Sequence, residues 1–174
     1  MNKIILSIVF FLFATVAAFA GKDVKVKSGD KKVLKQEAVF QCVVDLDGAT
    51  WEEDESFKTH CGNEYEQRVR TLQEAWPKFF AKYSKGPVVS DDAPVYKAVL
   101  KLTNFEKSIF YAEVGKKGKI GMEFYGEVNI VEVATGSTVL TLKIESKAGP
   151  YDYFENSRCI KTMDALCEDI FDLL

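Results

Sequence analysis

Two periods alternate along the chain. EAVFQCVVDLDGA, residues 37–49, repeats apolar residues every second position, with Phe40, Cys42, Val44 and Leu46 on one face, and it ends in Asp-Gly. That pattern predicts a strand. In GNEYEQRVRTLQEAWPKFFAKYSKG the period lengthens: Tyr65, Val69, Leu72, Trp76, Phe79, Phe80 and Tyr83 recur at helical spacing. Asn63 is the expected cap, and Glu64 and Glu66 suit the positive end of the helix dipole. Pro77 removes a backbone donor and crowds the preceding turn, so a kink or break is expected there. Gly86-Pro87 ends the segment.

Alternation returns over residues 93–114, where Tyr96, Ala98, Leu100 and Leu102 oppose Val95, Lys97, Val99 and Lys101. A basic turn, GKKGK, follows at 115–119. It lacks the glycine-lysine-hydroxyl spacing of a phosphate loop. Two further strands flank Ala134-Thr135-Gly136-Ser137, a strong hairpin signal. The segment SRCIKTMDALCEDIFDLL closes the chain as a helix, capped by Asn156 or Ser157, with Ile160, Met163, Cys167, Ile170, Phe171 and Leu174 as its apolar stripe. The expected fold is α+β: one mixed sheet in the order β-α-β-β-β-α, with both helices on one face. The first two strands are parallel through a right-handed crossover, and the later ones are antiparallel.

The two ends of the organisation differ in composition. MNKIILSIVFFLFATVAAFA, residues 1–20, has Lys3, an apolar core over 4–16 and the small-x-small pattern Ala18-Phe19-Ala20. These are the parts of a secretory signal peptide cleaved near Ala20. The core is shorter than the ~20 residues that span a bilayer. No later segment is apolar enough to cross one, so the mature chain is expected to have no transmembrane segment. Residues 21–36 are lysine-rich and read as a flexible arm, which leaves 37–174 as a single α+β domain. The 174 residues carry a net charge of −3 and scattered basic residues, so no nucleic-acid surface is expected.

The element order, the leader and the stretch EVNIVEVATGSTVLTLKIES resemble a group of bacterial envelope domains that includes the amino-terminal domain of TolB, CsgG and LpoB. The likeness spans residues 37–174. It implies a docking or assembly module contacting another envelope or secreted protein, without catalysis and without a cofactor. The chain departs from the lipoprotein members in having no cysteine at the cleavage junction.

Chemistry is limited by a single histidine, His60. No Gly-x-Ser-x-Gly elbow accompanies it, and no Cys-x-x-Cys pair supplies a zinc site. The acidic run 52–55 lacks the ligand spacing of a calcium loop and reads as part of a solvated loop. The four cysteines, Cys42, Cys61, Cys159 and Cys167, form an even set in an exported chain, which predicts disulfides. Cys159 and Cys167 sit about 12 Å apart on one helix, too far for a bond that needs Cα atoms within about 7 Å. Both helices follow parallel strands and so begin at one sheet edge, which favours Cys61–Cys159, with Cys42–Cys167 as a second pair. His60 is then incidental.

Trp51, at the root of the acidic loop, is the candidate interaction anchor. Two alternatives stand beside the binding module: a small-ligand carrier using an aromatic pocket between helix and sheet, and a thiol or metal enzyme using Cys61 and His60.

Overall fold

The computed structural model describes residues 23–110, 119–150 and 152–174. The leader at 1–20 and most of the GKKGK turn lie outside them. One large mixed sheet is covered on one face by two helices. In chain order the elements are β1 (Val24–Gly29), a 3-10 helix (Lys31–Lys35), β2 (Val39–Asp45), β3 (Thr50–Trp51), β4 (Glu55–Ser56), α1 (Phe57–Cys61), a 3-10 turn (Gly62–Glu64), α2 (Tyr65–Tyr83), β5 (Val88–Val89), β6 (Tyr96–Phe110), β7 (Lys119–Glu132), β8 (Thr138–Ala148) and α3 (Glu155–Asp172). The expected β-α-β-β-β-α order is therefore only part of the true one.

The sheet runs β1-β8-β7-β6-β2-β5, with β3 joining the flank of β6 and β4 pairing with β3. β2 and β6 are parallel, as a crossover through α2 requires. β6, β7 and β8 are antiparallel. Alternation decides the faces. Phe40, Ala98, Leu100, Leu102, Val128, Ile130, Leu140 and Leu142 are buried beneath the helices. From α2, Leu72, Trp76, Phe79 and Phe80 seal this layer, and α3 adds Met163, Leu166, Cys167 and Ile170. Trp76 donates its indole N–H to the Ala98 carbonyl at 2.9 Å, which fixes α2 to β6. The two helices meet where Phe80 packs edge-on to Phe171, centroids 5.1 Å apart.

Residues 21–36, read as a flexible arm, are ordered over the described part. β1 pairs antiparallel with β8, and Val24, Val33 and Leu34 are all at most 6% exposed. The lysines that made the run look unstructured occupy the exposed side of an edge strand, where charge also guards against edge-to-edge association. Lys25 pairs with Glu145, and Lys27 with Glu127 at 2.5 Å.

Three local expectations about the helices also change. Ser56, not Asn63, caps a helix: its side chain accepts the Thr59 N–H at the start of α1. Asn63 lies in the 3-10 turn that leads into α2. α2 runs unbroken through Pro77, because Trp76, Phe79 and Phe80 on either side are locked into the core and outweigh one lost backbone bond. α3 begins at Glu155, before Asn156 and Ser157, and Phe154 at its cap position offers no side-chain acceptor. Among the described residues, no helix is long and apolar enough to cross a membrane.

Candidate functional site

Both helices lie on one side, and among the described residues no helix covers the opposite side of the sheet. Its residues are the odd members of the alternation, and cross-strand register aligns them into rows. At one end Val88 pairs with Val39 across β5 and β2. Val95 continues the row through its N–H to the Val39 carbonyl, and Val133 through its N–H to the Val95 carbonyl, each at 2.9 Å. The result is a row of four valines across four adjacent segments. Val88 is 59% exposed, Val95 46% and Val133 42%. Inward from this row come Gln41, Lys97 and Val131, then Val43, Val99 and Asn129.

The far end of the same face is charged. There Glu127 lies between Lys101 and Lys143 in the register, Lys101 is 4.0 Å from Asp45, and Lys143 is 3.4 Å from Glu145. The charges at that end have partners of opposite sign. Among the described residues, no helix lies over the valines. An open sheet face that is apolar at one end and neutralised at the other is suited to receive a protein surface.

A second cluster lies at the seam between α1, α2 and α3. Trp51, the expected anchor on the acidic loop, is only 5% exposed. That loop is folded into β3, β4 and α1, and the His60 ring covers the indole, with centroids 3.8 Å apart and planes within 3°. His60 is thus a structural partner and not an incidental neighbour of Cys61. Its Nε2 is 3.3 Å from Glu155 and its Nδ1 is 3.8 Å from Glu55. Arg68, 5% exposed, donates to Glu64 at 2.9 Å and to Glu155 at 3.2 Å. Burial disfavours its charge, but the hydrogen bond to Glu64, the charge of Glu155 and the contact with Cys159 hold the guanidinium protonated.

All four cysteines are free thiols in this structure. Neither expected disulfide, Cys61–Cys159 or Cys42–Cys167, is formed in this structure; Cys61 ends α1 and Cys159 lies in the first turns of α3, at the seam that His60 and Glu155 bridge. Burial is the largest influence at every thiol. It pushes Cys42 and Cys159 up to about 12 and Cys61 to about 11, and it raises Cys167 well above the usual thiol range. None of them is poised as a nucleophile near neutral pH. His60 faces two carboxylates, an arrangement that holds the ring in place and does not activate a thiol. Among the described residues, no group of three or more His, Cys, Asp or Glu side chains gathers as a metal set.

The middle of the aromatic stripe of α2, Leu72, Trp76, Phe79 and Phe80, is consumed by packing, whereas Tyr65 and Val69 at its start and Tyr83 at its end line grooves. Phe80 contacts Phe40 at 5.7 Å and Trp76 at 5.2 Å between centroids. Grooves occur at the rim of the fold. One of about 530 Å3 runs between the end of β2 and α1, lined by Val44, Leu46, Ala49, Phe57, Tyr65 and Val69 among others. Another of about 530 Å3 lies on the charged end of the open face, beside Lys101, Tyr125 and Glu145. Leu72, Trp76, Phe79 and Phe80 line neither.

Rows assembled from residues 39, 88, 95 and 133 carry no local signature, so the sequence does not point to these valines. No family model matches the chain, and no curated protein matches it. Among solved structures, it is similar to a PelC dodecamer from Paraburkholderia phytofirmans, at 10% identity and a TM-score of 0.43, covering 84% of this chain and 96% of that one. A leucine-to-methionine variant of that PelC aligns at 8% identity and a TM-score of 0.37, covering 84% and 95%. A putative neuraminyllactose-binding hemagglutinin homolog from Helicobacter pylori aligns at 9% identity and a TM-score of 0.31, covering 86% and 88%.

Proposed function

We propose that the chain is a non-catalytic binding or assembly module, exported to the bacterial envelope or beyond after cleavage near Ala20. In this reading it docks another envelope or secreted protein on the open face of its sheet. The observation that carries the reading is the uncovered row Val88–Val39–Val95–Val133. Three of these four valines expose more than two-fifths of their surface, although the chain has a helical layer that buries the apolar rows of the other face. Covering such a strip releases apolar area at roughly 25 cal/mol per Å2, and the neutralised charges beside it would set orientation more than strength.

The signal-peptide pattern supports export. The raised thiols and the carboxylate-facing His60 support a role other than thiol catalysis. A carrier role would use the rim groove that Tyr65 and Val69 line with Leu46 and Phe57, since the middle of the stripe, Leu72, Trp76 and Phe80, is fully buried.

The test is site-specific photo-crosslinking in cells. A photoreactive residue replaces Val95 or Val133 in turn, and Gln67 on the exposed side of α2 serves as control. The same discrete adduct is expected from both valine positions and not from Gln67. Adducts at all three positions, or at Gln67 alone, would move the docking surface off the open face.

A further inference from the structure

We propose that Cys61 and Cys159 form a dithiol–disulfide site in which Cys61 reacts first with a small disulfide and Cys159 resolves it, clasping α1 to α3. Position is the first argument. Cys61 is the last residue of α1 and Cys159 lies in the first turns of α3. The same seam is already crossed by His60–Glu155 at 3.3 Å and Arg68–Glu155 at 3.2 Å. A bond here joins elements that the fold holds side by side, so it requires no rearrangement of the sheet.

Access is the second. Cys61 is half-buried and reachable from solvent. Cys159 is fully buried, with its thiol directed at the Met122 sulfur at 3.2 Å. Of the two, only Cys61 can meet a molecule from outside, while Cys159 is sealed on the α3 side of the seam that His60 and Glu155 bridge.

Arg68 is the third. Its Nη2 is occupied by the two carboxylates, while Nε and Nη1 are buried without an acceptor. The guanidinium lies beside Cys159 and lowers the cost of its ionisation. A buried donor without a partner is costly, and a thiolate on Cys159 is an acceptor for it. In the resting state burial outweighs this help, so the exchange is slow near neutral pH and speeds up in alkali.

The chemistry balances with a glutathione-type disulfide as oxidant. The Cys61 thiolate attacks one sulfur, forming a mixed disulfide and expelling one glutathione thiolate. The Cys159 thiolate then attacks the Cys61 sulfur and expels the second. Two protein thiols are oxidised, one external disulfide is reduced, and the two protons lost by the cysteines end on the two glutathiones.

The experiment treats the purified, reduced, folded chain with oxidised glutathione, quenches with an alkylating agent over time, and maps the peptides. Wild type is expected to show glutathione transiently on Cys61 and then a Cys61–Cys159 crosslink. Cys159→Ser should accumulate the mixed disulfide on Cys61. Cys61→Ser should leave Cys159 unmodified while the chain stays folded, with circular dichroism confirming the fold of each variant. Stable glutathione on wild-type Cys61 with Cys159 still reduced would overturn the proposal. So would a crosslink from Cys61 to any other cysteine.

Discussion

The imidazole of His60 lies flat on the indole of Trp51, 3.8 Å between centroids and 3° from parallel. The Lys107 ammonium also stands near the indole, 5.7 Å from the ring centre. Trp51 is therefore enclosed by two side chains from outside its own strand. His60→Ala should uncover it. The stack contributes about 0.5–1.5 kcal/mol beyond area burial, and that loss should appear in urea unfolding. The emission of Trp51 should shift to the red, while Trp76, the other of the two tryptophans, stays sealed in the core. An unchanged spectrum would mean that the ring is not the cover. Trp51→Ala should cost more, about 3–5 kcal/mol.

Gly126 controls the bend of the long strands. The β6–β7 register slips between Leu102 and Asn104, and the β7–β8 register between Phe124 and Gly126. At this double irregularity Gly126 adopts φ +155°, and a Cβ there would lie 2.0 Å from the Lys101 carbonyl oxygen. Gly126→Ala must push the strands apart or flatten the bulge. A loss of about 3 kcal/mol or more is expected from backbone strain of this kind, measured as a lowered unfolding midpoint. Gly136→Ala, in the β7–β8 hairpin turn with φ +67° and open space around it, should cost less.

What could be read from the sequence was what has a period. β2 and its inward face, the 134–137 hairpin, the parallel first crossover and part of the stripe of α3 follow from spacing between near neighbours, although Ile160, expected in that stripe, is 40% exposed and Leu166 is buried in it instead. The meeting of the two helix starts, seen in the His60–Glu155 and Arg68–Glu155 contacts, was also legible, because topology alone brings both to one edge. β1 was hidden because Lys25, Lys27 and Ser28 meet solvent, and an edge strand needs few apolar positions. The continuity of α2 through Pro77 depends on how firmly Trp76 and Phe80 are buried, which no local pattern reports. The valine row and the Trp51–His60 stack depend on register between distant segments. Single positions such as Val88 and His60 look ordinary until the sheet is assembled.

The four raised thiols predict an alkaline weakness. An unfolded cysteine ionises near about 8.5, whereas Cys61 in the fold is held up to about 11 and Cys42 and Cys159 to about 12, chiefly by burial. Above about pH 8.5 the unfolded chain binds fewer protons than the folded one, so stability falls as pH rises. The thiols' contribution is complete below that pH and is lost progressively toward about 11 and 12. Reduced protein should therefore lose unfolding free energy between about pH 8 and 9.5, below the range where tyrosines ionise. Protein with the Cys61–Cys159 bond should lose less, since only Cys42 and Cys167 remain to titrate. Urea titrations of both forms across that window decide it, and equal slopes would count against the thiols as the source. The bonded form should also be more stable throughout, by up to about 4–5 kcal/mol for a closed loop of this length.

Asp152 predicts the opposite limb. The cap residue of α3, Phe154, has no side-chain acceptor, and the work of ordering that helix start falls to Asp152. Its carboxylate takes an ion pair from Lys161 at 2.8 Å, the Ser157 hydroxyl at 2.7 Å and the Phe154 N–H at 3.2 Å. The Lys161 bond first, then Ser157 and the backbone, hold the carboxyl well below the ordinary aspartate range. A depressed folded value contributes stability that is complete above the unfolded value near about 3.9 and disappears as pH falls below it. Acid should thus loosen the start of α3 before the sheet, seen as faster amide exchange at residues 154–158 below about pH 4 than at the paired amides of β6 and β7. Asp152→Asn keeps an acceptor for Ser157 but removes the charge that Lys161 meets. It should weaken the helix start at neutral pH and flatten its dependence on acid. If exchange at 154–158 in the wild type tracks β6 and β7 down to low pH, Asp152 is not what secures the helix.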